Sequence, residues 1–250
     1  MFRPALLRSL VLLLLAPAAL LAQAPGKWPP DSLINVKVFP KSTPVMQVVG
    51  QMRNFAVGLG VRCHFCHAGE EGTPLDKTDF ASDDRRTKRV ARQMMRMVQE
   101  INARLDTIPE RPAAKVEVTC RTCHHGLSRP VTLATVLGDA ASAAGADSAL
   151  RAYAALRERY YGRDTYDFGE LSLNQAAFRL GREGKYADAL KILDFNEKFF
   201  PGSSGLAVFR GNITLMKGDT AGAVTAFREA VRRDSTNGEA RGRLRDLGVK

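Results

Sequence analysis

Aromatic residues make up only 7% of this 250-residue chain, with a single Trp, which argues against an aromatic-rich β-sandwich. Histidine and cysteine are scarcer still, four of each, and all eight fall in two short windows. No histidine is left over for a Ser-His-Asp arrangement, and no paired-carboxylate site stands out. The apolar run from Leu10 to Leu21 is about 12 residues, short of the ~20 that a spanning helix needs. A composition of 45% hydrophobic and 25% charged residues, with 21 Gly and 12 Pro, excludes a largely disordered or collagen-like chain. The length accommodates one large domain or two small ones.

Arg3 and Arg8 precede the end of that apolar run, and Ala22-Gln23-Ala24 follows it. A charged start, a short apolar centre and a small-residue exit describe a secretory signal peptide over residues 1–24. Pro25 is a poor residue just after a cut at Ala24, so cleavage after Ala22 and retention as a membrane anchor both stay open. No cysteine follows the run, which excludes a lipoprotein anchor. The chain is thus expected in the periplasm or otherwise exported.

Export with four cysteines invites a disulfide reading. Their spacing points elsewhere. Cys63-His64-Phe65-Cys66-His67 and Cys120-Arg121-Thr122-Cys123-His124 each read Cys-x-x-Cys-His, the haem c attachment signature. In a helical turn the thiols at i and i+3 lie side by side, so both can form thioethers to the haem vinyl groups. The following imidazole then projects beneath the ring and binds the iron. A Cys₄ zinc site would not need a His after each pair, and a redox dithiol normally occurs once. Cys63, Cys66, Cys120 and Cys123 are therefore the expected attachment points of two covalent haem c groups, with His67 and His124 as proximal iron ligands. His64 sits inside its attachment loop, and His125 points away from its neighbour's haem. The sixth ligands are expected from methionine.

Ser42-Thr43-Pro44 reads as a helix start with a hydroxyl cap, and Val45, Val48, Val49, Met52, Phe55, Ala56 and Leu59 recur at helical spacing. Gly58 and Gly60 end that helix before Cys63. Met52 lies on its apolar face and can reach the iron opposite His67, whereas Met46 is more remote. A second helix is expected from about Asp83 to Leu105, capped by Ser82 or Asp83. At 100° per residue, Arg85, Arg89, Arg92 and Arg96 cluster within about 60° of arc. Met94 faces directly away from them, Met97 lies at the edge of the apolar face, and Met95 is off it. The arginine stripe reads first as a solvated face, with propionate neutralisation or partner docking as the functional alternatives.

These residues resemble a known family. The segment from Met52 through Leu59-Gly60-Val61-Arg62 into Cys63–His67 is similar to one haem-binding segment of the photosynthetic reaction-centre cytochrome c subunit. Val90-Ala91-Arg92-Gln93-Met94-Met95-Arg96-Met97, Ile101-Asn102 and Val118-Thr119 leading into Cys120–Gly126 resemble another. The resemblance spans roughly residues 33–132. It implies that a helix before each motif supplies an axial methionine, pairing Met52 with His67 and Met94 with His124, with Met97 as the competing candidate. The family's best-known members carry four haems, and this chain has two attachment sites. The resemblance thus implies electron transfer more strongly than a photosynthetic partner.

Thr135 to Gly145 is rich in Ala and small residues, and 136–148 reads as a linker between a dihaem cytochrome domain (25–135) and a repeat domain (149–250). Gly184-Lys185-Tyr186-Ala187-Asp188-Ala189 recurs 34 residues later as Gly218-Asp219-Thr220-Ala221-Gly222-Ala223. The same shift maps Ala177 onto Gly211 and Leu193 onto Phe227. A 34-residue period with small residues at helix contacts resembles the tetratricopeptide repeat, with repeats at about 170–203 and 204–237. Helices near Ala149–Tyr160 and Gly238–Leu247 are expected to complete the stack.

The net charge is +11, from 37 basic and 26 acidic residues. Residues 25–135 carry 17 basic and 11 acidic groups, and two haems would add up to four propionate charges, which removes the main support for nucleic acid binding. The expectation is an all-α, exported dihaem cytochrome c that carries single electrons and is not an enzyme. Its redox partners would be proteins, including a membrane-bound electron-transfer complex, with a protein or peptide on the repeat surface. A dihaem peroxidase-like enzyme with one open iron, or a repeat-based assembly scaffold, are the alternatives.

Overall fold

The computed structural model describes residues 27–110 and 116–249; the expected signal peptide at 1–24 lies outside the described residues. The fold is all-α. Among the described residues there is no strand, only an isolated antiparallel bridge between Ala68 and Asp79. No helix among them is long and apolar enough to cross a membrane.

Three helices belong to the motif-bearing region: α1 (Val45–Leu59), α2 (Arg86–Asp106) and the short α3 (Cys120–His124). Gly60 ends α1 in the left-handed conformation at φ 65, with the Val61 N–H closing back on the Ala56 carbonyl. No side chain caps the start of α1, so the expected hydroxyl cap is corrected: Pro44 precedes the helix with its fixed φ, and Ser42 and Thr43 stay outside it. Helix α2 also begins later than expected, at Arg86. Asp79 Oδ1 accepts from the Ala81 and Ser82 N–H groups, and Ser82 Oγ accepts from Asp84, so these side chains hold a turn before the helix. Asp83, the other expected cap, is engaged by Lys37, Lys88 and Arg92.

Helix α4 (Leu133–Tyr160) overturns the linker expected at 136–148. That stretch is helical, and Leu137, Ala141 and Ala146 are almost wholly buried. Small residues there permit close helix packing, not flexibility. The helix breaks at Ala144–Gly145, where Gly145 takes φ 77. Asp188 Oδ1 accepts from the Ala146 N–H at 2.9 Å and starts the second segment, while Lys185 Nζ donates to the Ser142 carbonyl at 2.7 Å and closes the first.

Five further helices follow: α5 (Glu170–Arg182), α6 (Tyr186–Glu197), α7 (Ser204–Met216), α8 (Thr220–Arg233) and α9 (Gly238–Asp246). The first helix of each pair starts at 170, 204 and 238, so the 34-residue period read from sequence sets the helix register. One core joins Leu133, Leu137, Tyr153, Leu173, Leu180, Ile192, Leu193 and Ile213, and a second joins Ala207, Phe227, Ala230 and Ala240. The fully buried Asn196 donates to Asn174 Oδ1 and to the Glu170 carbonyl, a polar tie between α5 and α6.

At Gly211 the α7–α8 contact is closest: a Cβ there would stand 2.5 Å from the Phe227 ring. Gly211→Ala should therefore destabilise the repeat module by about 1–3 kcal/mol through overpacking. Thermal unfolding followed by circular dichroism would check this, and an unchanged midpoint would contradict the packing account.

Candidate haem attachment site

The two motifs adopt different local structures. Cys63–Phe65 forms a 3₁₀ turn, and the His67 N–H bonds to the Cys63 carbonyl at 3.0 Å. The second motif is α3 itself, started by a reciprocal capping box between Thr119 and Thr122 and ended by His125 at φ 48. All four cysteines stand as free thiols, and burial pushes the Cys66 and Cys120 thiols up from their ordinary pKa. Among the described residues no group of three or more His, Cys, Asp or Glu is arranged to hold a metal ion.

The motifs are brought together through α1, which packs against α3. The Gly126 N–H donates to the Gly58 carbonyl at 2.9 Å, and a Cβ on Gly58 would stand 3.4 Å from that of Cys120. The helix that leads into the first motif thus rests on the second. Motif two is tied also to the segment after α4, where Arg121 pairs with Asp164 at 2.8 Å.

Each histidine has a distinct environment. His124 Nδ1–H donates to the Leu127 carbonyl at 2.7 Å, which fixes the tautomer and leaves Nε2 as the lone-pair nitrogen. His67 packs on Phe80 at 4.8 Å, and its Nδ1 is buried with no hydrogen-bond partner among the described residues. Burial, reinforced by the Lys88 charge, lowers its pKa to about 4, so it is neutral at pH 7 and able to ligate. His64 Nε2–H donates to Thr78 Oγ1 at 3.0 Å, and Thr78 in turn donates to the Pro74 carbonyl. It is a strut of the attachment loop.

Arg85, Arg89 and Arg96 are exposed, as a solvated face requires, and Arg92 is half-buried, but the stripe also fastens groups beyond its own helix. Arg85 donates to the Gly69 carbonyl, Arg89 to those of Asp83 and Asp84, and Arg92 to Asn35 and to the Asp83 carboxylate. Only Arg96 is left to pair within its own helix, with Gln93. Between them Lys88, 8% exposed, donates to the carbonyls of Phe80, Ala81 and Ser82. Neighbouring Arg92 and Lys37 hold the Asp83 carboxyl far below the usual carboxylate range. This clamp, together with the Thr87 hydroxyl on the Phe65 carbonyl, binds the first motif's loop to α2. Lys88 escaped the sequence reading, and Asp83 was read there only as a helix cap. The signal was a fifth cation inside the stripe and an acidic residue just before it.

On the opposite side of α2, Val90, Met94 and Met97 are 37%, 43% and 45% exposed, and α2 packs closely against no other helix. Met95 is half-buried, as is Met52 on α1, while Met46 is exposed. Asn102, a further residue the wheel did not single out, makes a two-way amide pair with Val118: its Nδ2 donates to the carbonyl and its Oδ1 accepts from the N–H, both at 2.8 Å. That pair anchors the approach to Cys120 against α2.

A haem c group fits these residues: thiols at i and i+3 twice, an imidazole after each, and exposed apolar side chains on α2. The fold and site thus have the character of an all-α haem-binding domain joined to helical repeats. Residues 63–155 match the family model of the photosynthetic reaction centre cytochrome C subunit, a stretch covering both motifs, α2, α3 and most of α4. The similarity supports a haem c-type cytochrome with a general role in electron transfer. No curated protein matches the chain.

Asn102→Ala would strand the Val118 N–H and carbonyl, at a cost of about 1–3 kcal/mol. The expected result is a lower denaturation midpoint and faster amide exchange at Val118, measured by hydrogen exchange. Unchanged exchange would show that this anchor carries no load.

Proposed function

We propose that the chain is an exported dihaem cytochrome c that carries single electrons, with one haem on Cys63 and Cys66 and a second on Cys120 and Cys123. When bound, haem iron would supply one-electron chemistry between the ferric and ferrous states, and thioether ligation would favour the ferrous form. His67 and His124 are the proximal ligands in this reading, with Met52 and Met94 as distal ligands.

The observation that carries it is the distribution of burial. Between Lys27 and Thr132 only Val48 and Val49 are buried hydrophobic residues among the described ones, while the motifs carry four free thiols and α2 exposes Val90, Met94 and Met97. An apolar prosthetic group supplies the contacts that the polypeptide does not. Register supports Met94 over Met97. Met52 precedes Gly60, where α1 turns into the first motif, by the same eight residues that separate Met94 from Asn102, where α2 is tied to the second. At 1.5 Å per residue both methionine positions stand about 12 Å back along the helix axis.

The protein residues have simple tasks in such a carrier. The Leu127 carbonyl orients His124, the Lys88–Asp83–Arg92 clamp fixes the loop behind His67, and the α1–α3 contact keeps the two motifs at a set separation. The basic, apolar N-terminal segment supports export. The repeat module supplies a surface for a redox protein partner.

An optical redox titration of haem-loaded protein, with carbon monoxide added at the end, tests the reading. Two low-spin haems and no carbon monoxide shift are expected, with a thioether-to-ferric charge-transfer band diminished in Met52→Ala and in Met94→Ala but kept in Met97→Ala. One high-spin, carbon-monoxide-binding haem would contradict it and favour a peroxidase-like enzyme.

A further inference from the structure

At the far end of the repeat stack, α8 and α9 frame a groove of about 370 Å³ whose apolar side chains are Val231, Leu244 and Val249, all half-buried. Arg228, Arg241 and Arg245 stand around it, exposed. Their setting differs from that of arginines elsewhere in the module. Arg179 pairs with Asp139 and Glu183, Arg210 with Asp194 and Glu197, and Arg233 with Glu197 and Glu229. Among the described residues the three groove arginines have no carboxylate partner.

We propose that this groove binds an acidic segment of a partner protein in which carboxylates alternate with aliphatic side chains. The inference deepens the docking role assigned above to the repeat module and rests on it. Guanidinium groups offer planar donor forks matched to carboxylates, and three like charges gathered without counter-charge gain most from an anionic partner. The apolar floor then gives the segment's aliphatic side chains something to cover.

Charge decides the occupant. The chain's own residues outside the described ones, 1–26, 111–115 and 250, include Arg3, Arg8, Arg111, Lys115 and Lys250 and no acidic side chain, so they would be repelled. The exposed Glu70–Glu71 pair of a second copy is flanked by Gly69 and Gly72 and brings no aliphatic side chain to the floor. A flat anionic bilayer meets the arginine rim before the recessed floor.

Isothermal titration calorimetry on the haem-loaded full chain provides the test. The probe is a synthetic peptide Glu-Glu-Leu-Glu-Glu-Leu-Glu, compared with its Lys/Leu counterpart and with phosphatidylglycerol vesicles. The acidic peptide alone should bind, more weakly as salt rises. Combined Arg228→Gln, Arg241→Gln and Arg245→Gln substitutions should weaken binding about tenfold or more, and Val249→Ser should weaken it as well. These surface changes should leave the haem spectrum and potentials unaltered, so loss of peptide binding is separable from failure of the cytochrome reading. Absence of binding, equal binding by the triple variant, equal binding of the Lys/Leu peptide, binding of vesicles alone, or salt-sensitive self-association in place of peptide binding would each overturn the proposal.

Discussion

A folded region of roughly a hundred residues needs apolar surface to bury, because ordering each residue costs about 1–2 kcal/mol of backbone entropy. Helices α4 to α9 meet that need with aliphatic and aromatic cores of their own. The region before α4 does not: Val48 and Val49 are its buried hydrophobic residues among those described. Everything distinctive about the N-terminal half follows from this shortage. Its loops are held by hydrogen bonds and ion pairs, and its longest helix presents methionines to solvent on one side. The Cys-x-x-Cys-His motifs explain the shortage, since a covalent haem is an apolar core delivered with its own attachment chemistry.

Polar fastening and haem burial divide the work. The Lys88–Asp83–Arg92 clamp saturates backbone carbonyls of the loop behind His67, so the loop has a defined path without apolar packing. Asn102 does the same for the approach to Cys120. The exposed Arg121–Asp164 pair is screened by solvent and adds little to the joint between the two halves, and the chain itself continues into α4. That helix starts at Leu133, soon after the second motif, and buries Leu137 and Ala141 in the repeat core. The second motif is therefore joined to the repeat module by the short segment 125–132 that leads into α4.

Much of this was legible in the sequence, and the reasons are specific. The Cys-x-x-Cys-His spacing is local chemistry that tertiary context does not alter. The 34-residue period survived because Ala177, Gly211, Leu193 and Phe227 occupy matching contacts, where one methyl group matters. Misreadings arose where a residue had two uses. Asp83 and Ser82 resemble helix caps, yet the carboxylate is drawn to Lys88 and Arg92 and the hydroxyl to a preceding turn. Alanines at 136–148 suit a linker or a tightly packed helix, and only the partner surface of α5 and α6 decides between them. The arginine stripe is largely solvated, and its second use, fastening the carbonyls of Asn35, Gly69 and Asp83, is invisible to a helical wheel.

The central claim is that two haems, one on each motif, replace the missing core. Intact-mass spectrometry of the exported, matured chain tests it most directly. The account predicts a mass increase of two haem groups for the wild type, and of one for Cys63→Ala/Cys66→Ala and one for Cys120→Ala/Cys123→Ala. A wild-type chain carrying no haem or a single haem, or a double variant that keeps both, would contradict it.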